Sequence, residues 1–202
     1  QGGPDLEAVL EVDLVDAVFG SAEDVTVRTA VACEVCEATG AAPGTDPVVC
    51  DSCSGTGQVQ RVRQSILGQM VTASACNVCG GTGQHIAQSC DVCKGEGRVV
   101  TERTYTVEVP AGVDNGSTLR LTGRGAVGPR GGPHGDLYVH VKVRPDSRFV
   151  RDGNDLIHEL HVGTTQAALG VDIELETFDG TEEISVKPGA QAGQLVRLRG
   201  LG

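Results

Sequence analysis

All eight cysteines of this 202-residue chain sit in four C-x2-C pairs: Cys33/Cys36, Cys50/Cys53, Cys76/Cys79 and Cys90/Cys93. Thirteen, twenty-two and ten residues separate successive pairs. Each pair opens one eight-residue phrase, read in order as CEVCEATG, CDSCSGTG, CNVCGGTG and CDVCKGEG. A C-x2-C pair closes a tight turn with both sulfurs facing one point, and two pairs supply the tetrahedral thiolate set that zinc prefers. Eight thiolates therefore predict two Zn2+ per chain in closed sites, with no open position for Lewis-acid catalysis.

The residues between the sulfurs fit that chemistry. The glycine two positions after the second cysteine lets backbone N–H groups turn toward sulfur, and the next glycine ends the knuckle. The first copy has Ala38 where the others have Gly55, Gly81 and Gly95, which predicts a tighter or distorted first knuckle. His85, just past the third knuckle, reads as a surface residue because eight thiolates already complete two sites.

Two other uses of C-x2-C stay open on spacing alone. A thiol–disulfide oxidoreductase carries the motif at a helix N-terminus within alternating strands and helices, and nothing like that surrounds these copies. A disulfide framework belongs to small secreted proteins, where adjacent C-x2-C pairs are unusual.

The elements that position the cysteines read as strands. With three Phe, two Tyr, no Trp and 29 Gly, any core rests on Val, Leu and Ile in short strands joined by tight turns. LEAVLEV, VTVRTAV, TYTVEV, LYVHVKV, DIELET and EISV all alternate at period two. DAVFG and QAALG read as single short helices ended by Gly20 and Gly170. The cysteine block has few large apolar residues, chiefly Ile66, Leu67 and Met70. Metal must then supply its folding free energy, on the order of 10 kcal/mol per site.

Outside that block the chain repeats itself. DLEAVLEVDLVDAVFG (5 to 20) aligns without gaps on DLIHELHVGTTQAALG (155 to 170), and GVDNGSTLRLTGRG (112 to 125) aligns on GAQAGQLVRLRGLG (189 to 202). From Gly20 to Gly112 is 92 positions but from Gly170 to Gly189 only 19, and the difference of 73 is roughly the cysteine block with its connecting strands. The expected fold is thus all-β: two tandem, similar β-sandwich-like units, with a small extended two-zinc hairpin module inserted in the first. The expected boundaries are 1–32 with 98–145 for the first β-domain, 33–97 for the zinc module and 146–202 for the second β-domain. VRPDSRFVRDGND (143 to 155) reads as the joint, and His140, His158 and His161 fall on expected strands.

Four C-x-x-C-x-G-x-G phrases inserted in the first of two similar β-units resemble the C-terminal region of the DnaJ family, the type I (class A) J-domain co-chaperones. GDLYVHVKV, FVRDGNDL and AALG share in the resemblance, which covers nearly the whole chain. It implies a co-chaperone fragment that binds non-native or hydrophobic polypeptide segments, limits their aggregation and, in a full-length protein, delivers them to a DnaK-type chaperone in the cytoplasm. It implies that Cys33, Cys36, Cys90 and Cys93 hold one zinc and Cys50, Cys53, Cys76 and Cys79 the other. It also implies a client groove on the first β-unit at Leu6, Val25, Val27, Tyr105 and Val139. The J-domain and the dimerisation segment of that family have no counterpart in these residues, so a monomeric fragment of a homodimeric protein is expected.

Other classes fit poorly. The formal charge of −11, and six acidic residues against Arg61, Arg63 and Lys94 within the cysteine block, argue against a nucleic-acid partner. No apolar run approaches transmembrane length. No Ser/His/Asp or paired-carboxylate constellation stands out, so no catalytic residue is assigned.

Overall fold

The computed structural model describes residues 2–65 and 68–201, giving only the backbone at 61–65 and 68–71. Ile66, Leu67, the side chain of Met70 and Gly202 lie outside the described residues. The chain is nearly all-β. It begins with β1 (Leu6–Val12), helix α1 (Leu14–Phe19) and the long β2 (Ser21–Ala32). Through the cysteine block run β3 (Val48–Val49), β4 (Gln58–Ser65), β5 (Gly68–Ala75) and β6 (Gln84–His85), followed by the long β7 (Arg98–Val109). Next come β8 (Thr118–Leu121), β9 (Val127–Gly128), a 3-10 turn (Pro129–Gly131), β10 (Gly132–His134) and β11 (Leu137–Val143). The last elements are β12 (Val150–Asp152), β13 (Asp155–Ile157), α2 (Thr164–Leu169), β14 (Val171–Glu176) and β15 (Thr181–Val186).

One sheet has the order β1-β11-β8, and β2 pairs with β7 as a separate ribbon. The period-two pattern does its expected work: on β1, Leu10 and Val12 are buried while Glu7, Val9 and Glu11 are exposed. On the central strand β11, Leu137, Val139 and Val141 are buried to 1% exposure or less. Burying such side chains on a shared face is what sets the register of a sheet.

The chain divides into two compact units. The first comprises the chain up to Ala8, Thr26–Thr104 and Arg120–Val139, and so contains the whole cysteine block. Its non-cysteine core includes Val27, Ala126, Val127, Leu137 and Val139. Asp136 staples its β part. The carboxylate accepts hydrogen bonds from the Gly123 N–H (2.8 Å) and the Arg120 Nε (2.9 Å), and the Asp136 N–H donates to the Asp5 carboxylate at 2.7 Å. Those donors, Gly123 first, hold the Asp136 carboxyl below the usual carboxylate range.

The second unit comprises Val9–Val25, Tyr105–Leu119 and the chain from His140 onward. It buries Leu10, Val12, Leu14, Ala17, Val25, Val107, Val109, Val113, Val141 and Phe149. Within it the sequence repeat becomes a repeat of geometry. Gly20 and Gly170 end their helices at φ +84 each, and a side chain at either would strike a backbone carbonyl, Val109 O or Val186 O. The Gly112 N–H donates to Ala17 O at 2.9 Å, and the matched Gly189 N–H donates to Ala167 O at 2.9 Å.

The repeat is not carried through everywhere. TLRL forms β8, but its counterpart at 195–198 is not a strand, and Leu195 is 92% exposed. β8 is a strand because β11 lies beside it, and no described strand lies beside 195–198. His140 falls on β11, whereas His158 and His161 lie off any strand, because residues 158–163 have no ladder partner among the described residues. The stretch read as a plain joint also builds structure: β12 and β13 pair as a hairpin in the register Val150↔Ile157, Arg151↔Leu156 and Asp152↔Asp155. Its two-residue loop contains Gly153 at φ +62, which the primed hairpin turns require. Arg151 anchors this hairpin by donating to the carbonyls of Val113 (2.6 Å) and Gly112 (2.9 Å).

Candidate metal centre

The cysteine block is one antiparallel excursion. It leaves from β2 and returns into β7, with an Ala41↔Ser89 bridge, the β3–β6 ribbon and the β4–β5 hairpin stacked along it. β4 and β5 are in register from Gln58↔Ala75 to Ser65↔Gly68. Every pairing joins an early residue to a late one, so the first knuckle meets the fourth and the second meets the third.

Backbone hydrogen bonds clasp each pair of knuckles reciprocally. The Cys33 N–H donates to Gly97 O and the Cys90 N–H to Gly40 O, both at 2.9 Å. In the same way the Cys50 N–H donates to Gly83 O and the Cys76 N–H to Gly57 O, both at 2.9 Å. The approach is too close for side chains: a Cβ at Gly97 would run into the Ala38 carbonyl.

The clasps bring the sulfurs together in two groups. Cys33, Cys36, Cys90 and Cys93 have their ligand atoms within 4.8 Å of one another, and so do Cys50, Cys53, Cys76 and Cys79. All eight are buried free thiols. The Sγ–Sγ separations are 3.6 Å for Cys36–Cys93, 3.7 Å for Cys53–Cys79 and 4.0 Å for Cys50–Cys76. A tetrahedron with Zn–S of about 2.3 Å has an edge of about 3.8 Å, so the residues present fit a zinc ion in each group. A disulfide, with S–S of about 2.05 Å, does not match these spacings. His85 is exposed on β6 and belongs to neither group.

Each knuckle also aims an N–H at its second sulfur. Gly40, Gly57, Gly83 and Gly97 donate to Cys36, Cys53, Cys79 and Cys93 at 3.2–3.3 Å. The sulfurs do not respond equally. Burial pushes the Cys36 and Cys50 thiols up to about 11, reinforced by neighbouring thiols. Burial also raises Cys79 and Cys93, but the N–H donors of Gly83 and Gly81, and of Gly97 and Gly95, together with neighbouring thiols, outweigh it. They bring Cys79 down to about 6 and Cys93 to about 7. Each group thus pairs a sulfur lowered by N–H donors with one raised by burial, and a metal that binds there must displace the protons its thiols carry.

The first knuckle keeps the shape of the others. Ala38 takes φ +66, the left-handed region that Gly55, Gly81 and Gly95 occupy at +83 to +92. A non-glycine residue there costs roughly 1–2 kcal/mol, which the clasp and the sulfur cluster offset, so Ala38 produces no distorted knuckle.

The residues expected to line a client groove have different surroundings. Leu6 on β1 and Tyr105 on β7 are half-buried. Val25 (6% exposed) and Val27 (9%) on β2 are buried, and Val139 on β11 has no exposed surface. Sequence reasoning passed over the threonines at the third position after the second cysteine. Thr39, Thr56 and Thr82 each donate their hydroxyl to the carbonyl of that cysteine at 2.6–2.7 Å, locking the knuckle. The signal was present in the repeated ATG, GTG and GTG.

Comparison with known proteins gives the family. The family described as "DnaJ C terminal domain" matches residues 6–202. The chain is 48% identical over 200 residues to "Chaperone protein DnaJ 2" of Streptomyces avermitilis, covering 99% of this chain and 53% of that protein. It is 46% identical over 198 residues to "Chaperone protein DnaJ" of Roseiflexus sp., covering 98% and 53%. The DnaJ of Acetivibrio thermocellus is 44% identical over 202 residues, with 100% and 52% covered. The chain therefore spans about half the length of these relatives. With its nearly all-β fold and two tetracysteine groups, the chain belongs to the DnaJ C-terminal domain family.

Proposed function

We propose that this chain is a client-binding region of a co-chaperone: it holds two zinc ions and binds apolar segments of non-native polypeptides. The observation that carries the reading is the pair of clasped tetracysteine groups, with tetrahedral spacing, in a chain of the DnaJ C-terminal domain family. Zinc supplies rigidity here, since four thiolates close each site. The functional organisation follows residues 1–32 with 98–145 as the client-binding β-domain, 33–97 as the zinc module and 146–202 as a second β-domain. Leu6 and Tyr105, each half-buried, offer surface to a client, while Val25, Val27 and Val139 are buried. A sheet edge contributes main-chain hydrogen bonds and an apolar side chain of the client anchors it. In the whole protein, bound clients pass to a DnaK-type chaperone in the cytoplasm, and the protein is a homodimer whose present segment is monomeric. Among the described residues no helix is long and apolar enough to cross a membrane. The test combines metal analysis of the reduced protein with suppression of aggregation of a denatured client. Two zinc ions and suppression support the reading, while turnover of a disulfide substrate by a zinc-free protein would favour the oxidoreductase.

A further inference from the structure

Three of the four knuckles close themselves through threonine, and the fourth does not. At the position of Thr39, Thr56 and Thr82 it has Glu96, which has no hydroxyl to return to the Cys93 carbonyl. Contacts from outside the cysteine block fall at that same place. The Arg130 N–H donates to Glu96 O at 2.9 Å, and the Arg130 Nε donates to Gly95 O at 3.4 Å. The Arg98 Nε pairs with the Glu96 carboxylate at 3.1 Å, while its Nη1 donates to the Val127 carbonyl at 3.1 Å. Arg130 stands at φ 52, ψ 52 inside the 3-10 turn, an unfavoured conformation for a non-glycine residue. The approach is tight, because a Cβ at Gly97 would lie 3.0 Å from the Arg130 Cα. The turn itself is tied into the β part of its unit, with the Ala126 N–H donating to Pro4 O and the Gly3 N–H to Pro133 O.

We propose that the fourth knuckle is locked by the Ala126–Gly135 segment, Arg130 and Arg98 doing for it what threonine does for the other three. The outer zinc and this segment then form one cooperative element, and the inner zinc stands apart from it. Arg130 acts through the Gly95–Gly97 backbone, whose Gly97 N–H donates to the Cys93 sulfur, so it is a positioning residue for the outer site. This rests on the zinc reading above.

The test is zinc transfer from the full chain to a competing chelator, with the outer phase assigned in a Cys50→Ser/Cys53→Ser background. Arg98→Ala with Arg130→Val withdraws the lock, because a β-branched side chain disfavours the left-handed turn. It should speed outer release by about 10-fold or more, the scale seen when a group that orients a metal's ligands is lost. The inner phase should be unchanged, and adding Glu96→Thr should slow outer release again. Equal acceleration of both phases, or an outer phase within about twofold of wild type, overturns the proposal. Hydrogen exchange gives a second reading that needs no change at Arg130. Cys90→Ser/Cys93→Ser should deprotect the segment 126–135 and Cys50→Ser/Cys53→Ser should not; unchanged protection in the former overturns the coupling. A wild-type chain without zinc would instead remove the metal reading itself.

Discussion

Cys36 and Cys93 lie fifty-seven residues apart in the chain, and their Sγ atoms lie 3.6 Å apart. That separation is close to the edge of a zinc tetrathiolate tetrahedron, and it joins the two ends of the excursion at its base. The inner group sits beyond the β3–β6 ribbon. Cys50→Ser/Cys53→Ser should therefore reduce zinc from two to one per chain and leave the β-units folded. Metal analysis with far-UV circular dichroism checks this, and loss of both metals or of the strand signal would count against it.

Zinc retention should fall as pH falls, because protons compete for the ligand sulfurs. Burial raises the free thiols of Cys36 and Cys50 to about 11, so these sulfurs carry protons in the free sites across this range and both sites should lose metal on acidification. Each proton taken up lowers affinity about tenfold per pH unit once the sulfur is protonated in the free site. Chelator competition from pH 8 to pH 5 on the two single-site variants should show both affinities falling with pH, and a pH-independent affinity would count against thiolate ligation.

Val139 and Tyr105 should behave differently on substitution. Val139 has no exposed surface, so Val139→Asp buries a carboxylate and should destabilise the fold by about 3 kcal/mol or more. Tyr105 is half-buried, and Tyr105→Ala should weaken binding of a Leu-rich peptide about tenfold with a smaller fall in melting temperature. Thermal unfolding and peptide titration of both variants separate these effects. Weakened binding by a well-folded Val139→Asp protein would place that residue in an open cleft instead.

Asp136 links acid sensitivity to the staple of its unit. Its carboxyl is held below the ordinary value near 3.8. It therefore contributes stability that is present above that value and lost as pH falls through the lower, folded one. Asp136→Asn should lower stability at pH 7 and flatten the pH dependence of the melting temperature below pH 4. An unchanged acid limb would show that the Arg120 and Gly123 contacts do not persist in solution.

Much of the fold could be read from period-two alternation, because β1 and β11 bury alternate residues against a sheet neighbour and β14 half-buries them. The cysteine spacing pointed to two groups of four sulfurs able to hold a metal, since C-x2-C is a local geometric requirement. Less visible were features set by pairing across distance. TLRL and LVRL look alike, but only the first has β11 beside it, so only the first is a strand. The β12–β13 hairpin was hidden because Pro145, Asp146 and Gly153 suggested a linker, whereas Gly153 serves the hairpin turn. Ala38 was misleading because a substitution away from glycine suggests a change of shape, while the clasp between knuckles holds that shape against the local preference. The groove residues are the least legible class: Val25, Val27 and Val139 alternate as any core valine does, and alternation alone does not separate a cleft from a core.

The nesting of the two cysteine groups gives the module an order of assembly. Closing the outer group first would constrain the 53 residues between Cys36 and Cys90, while the inner group closes only 22 between Cys53 and Cys76. Once the inner group is closed, the outer one spans just the thirteen- and ten-residue connectors. Loop entropy then favours the second closure by about 0.7 kcal/mol, roughly threefold, relative to closing it alone. The inner cysteines are also complete at Cys79, before Cys90 has been made, so on a growing chain the tip of the excursion can fold first and draw its base together as a zipper does.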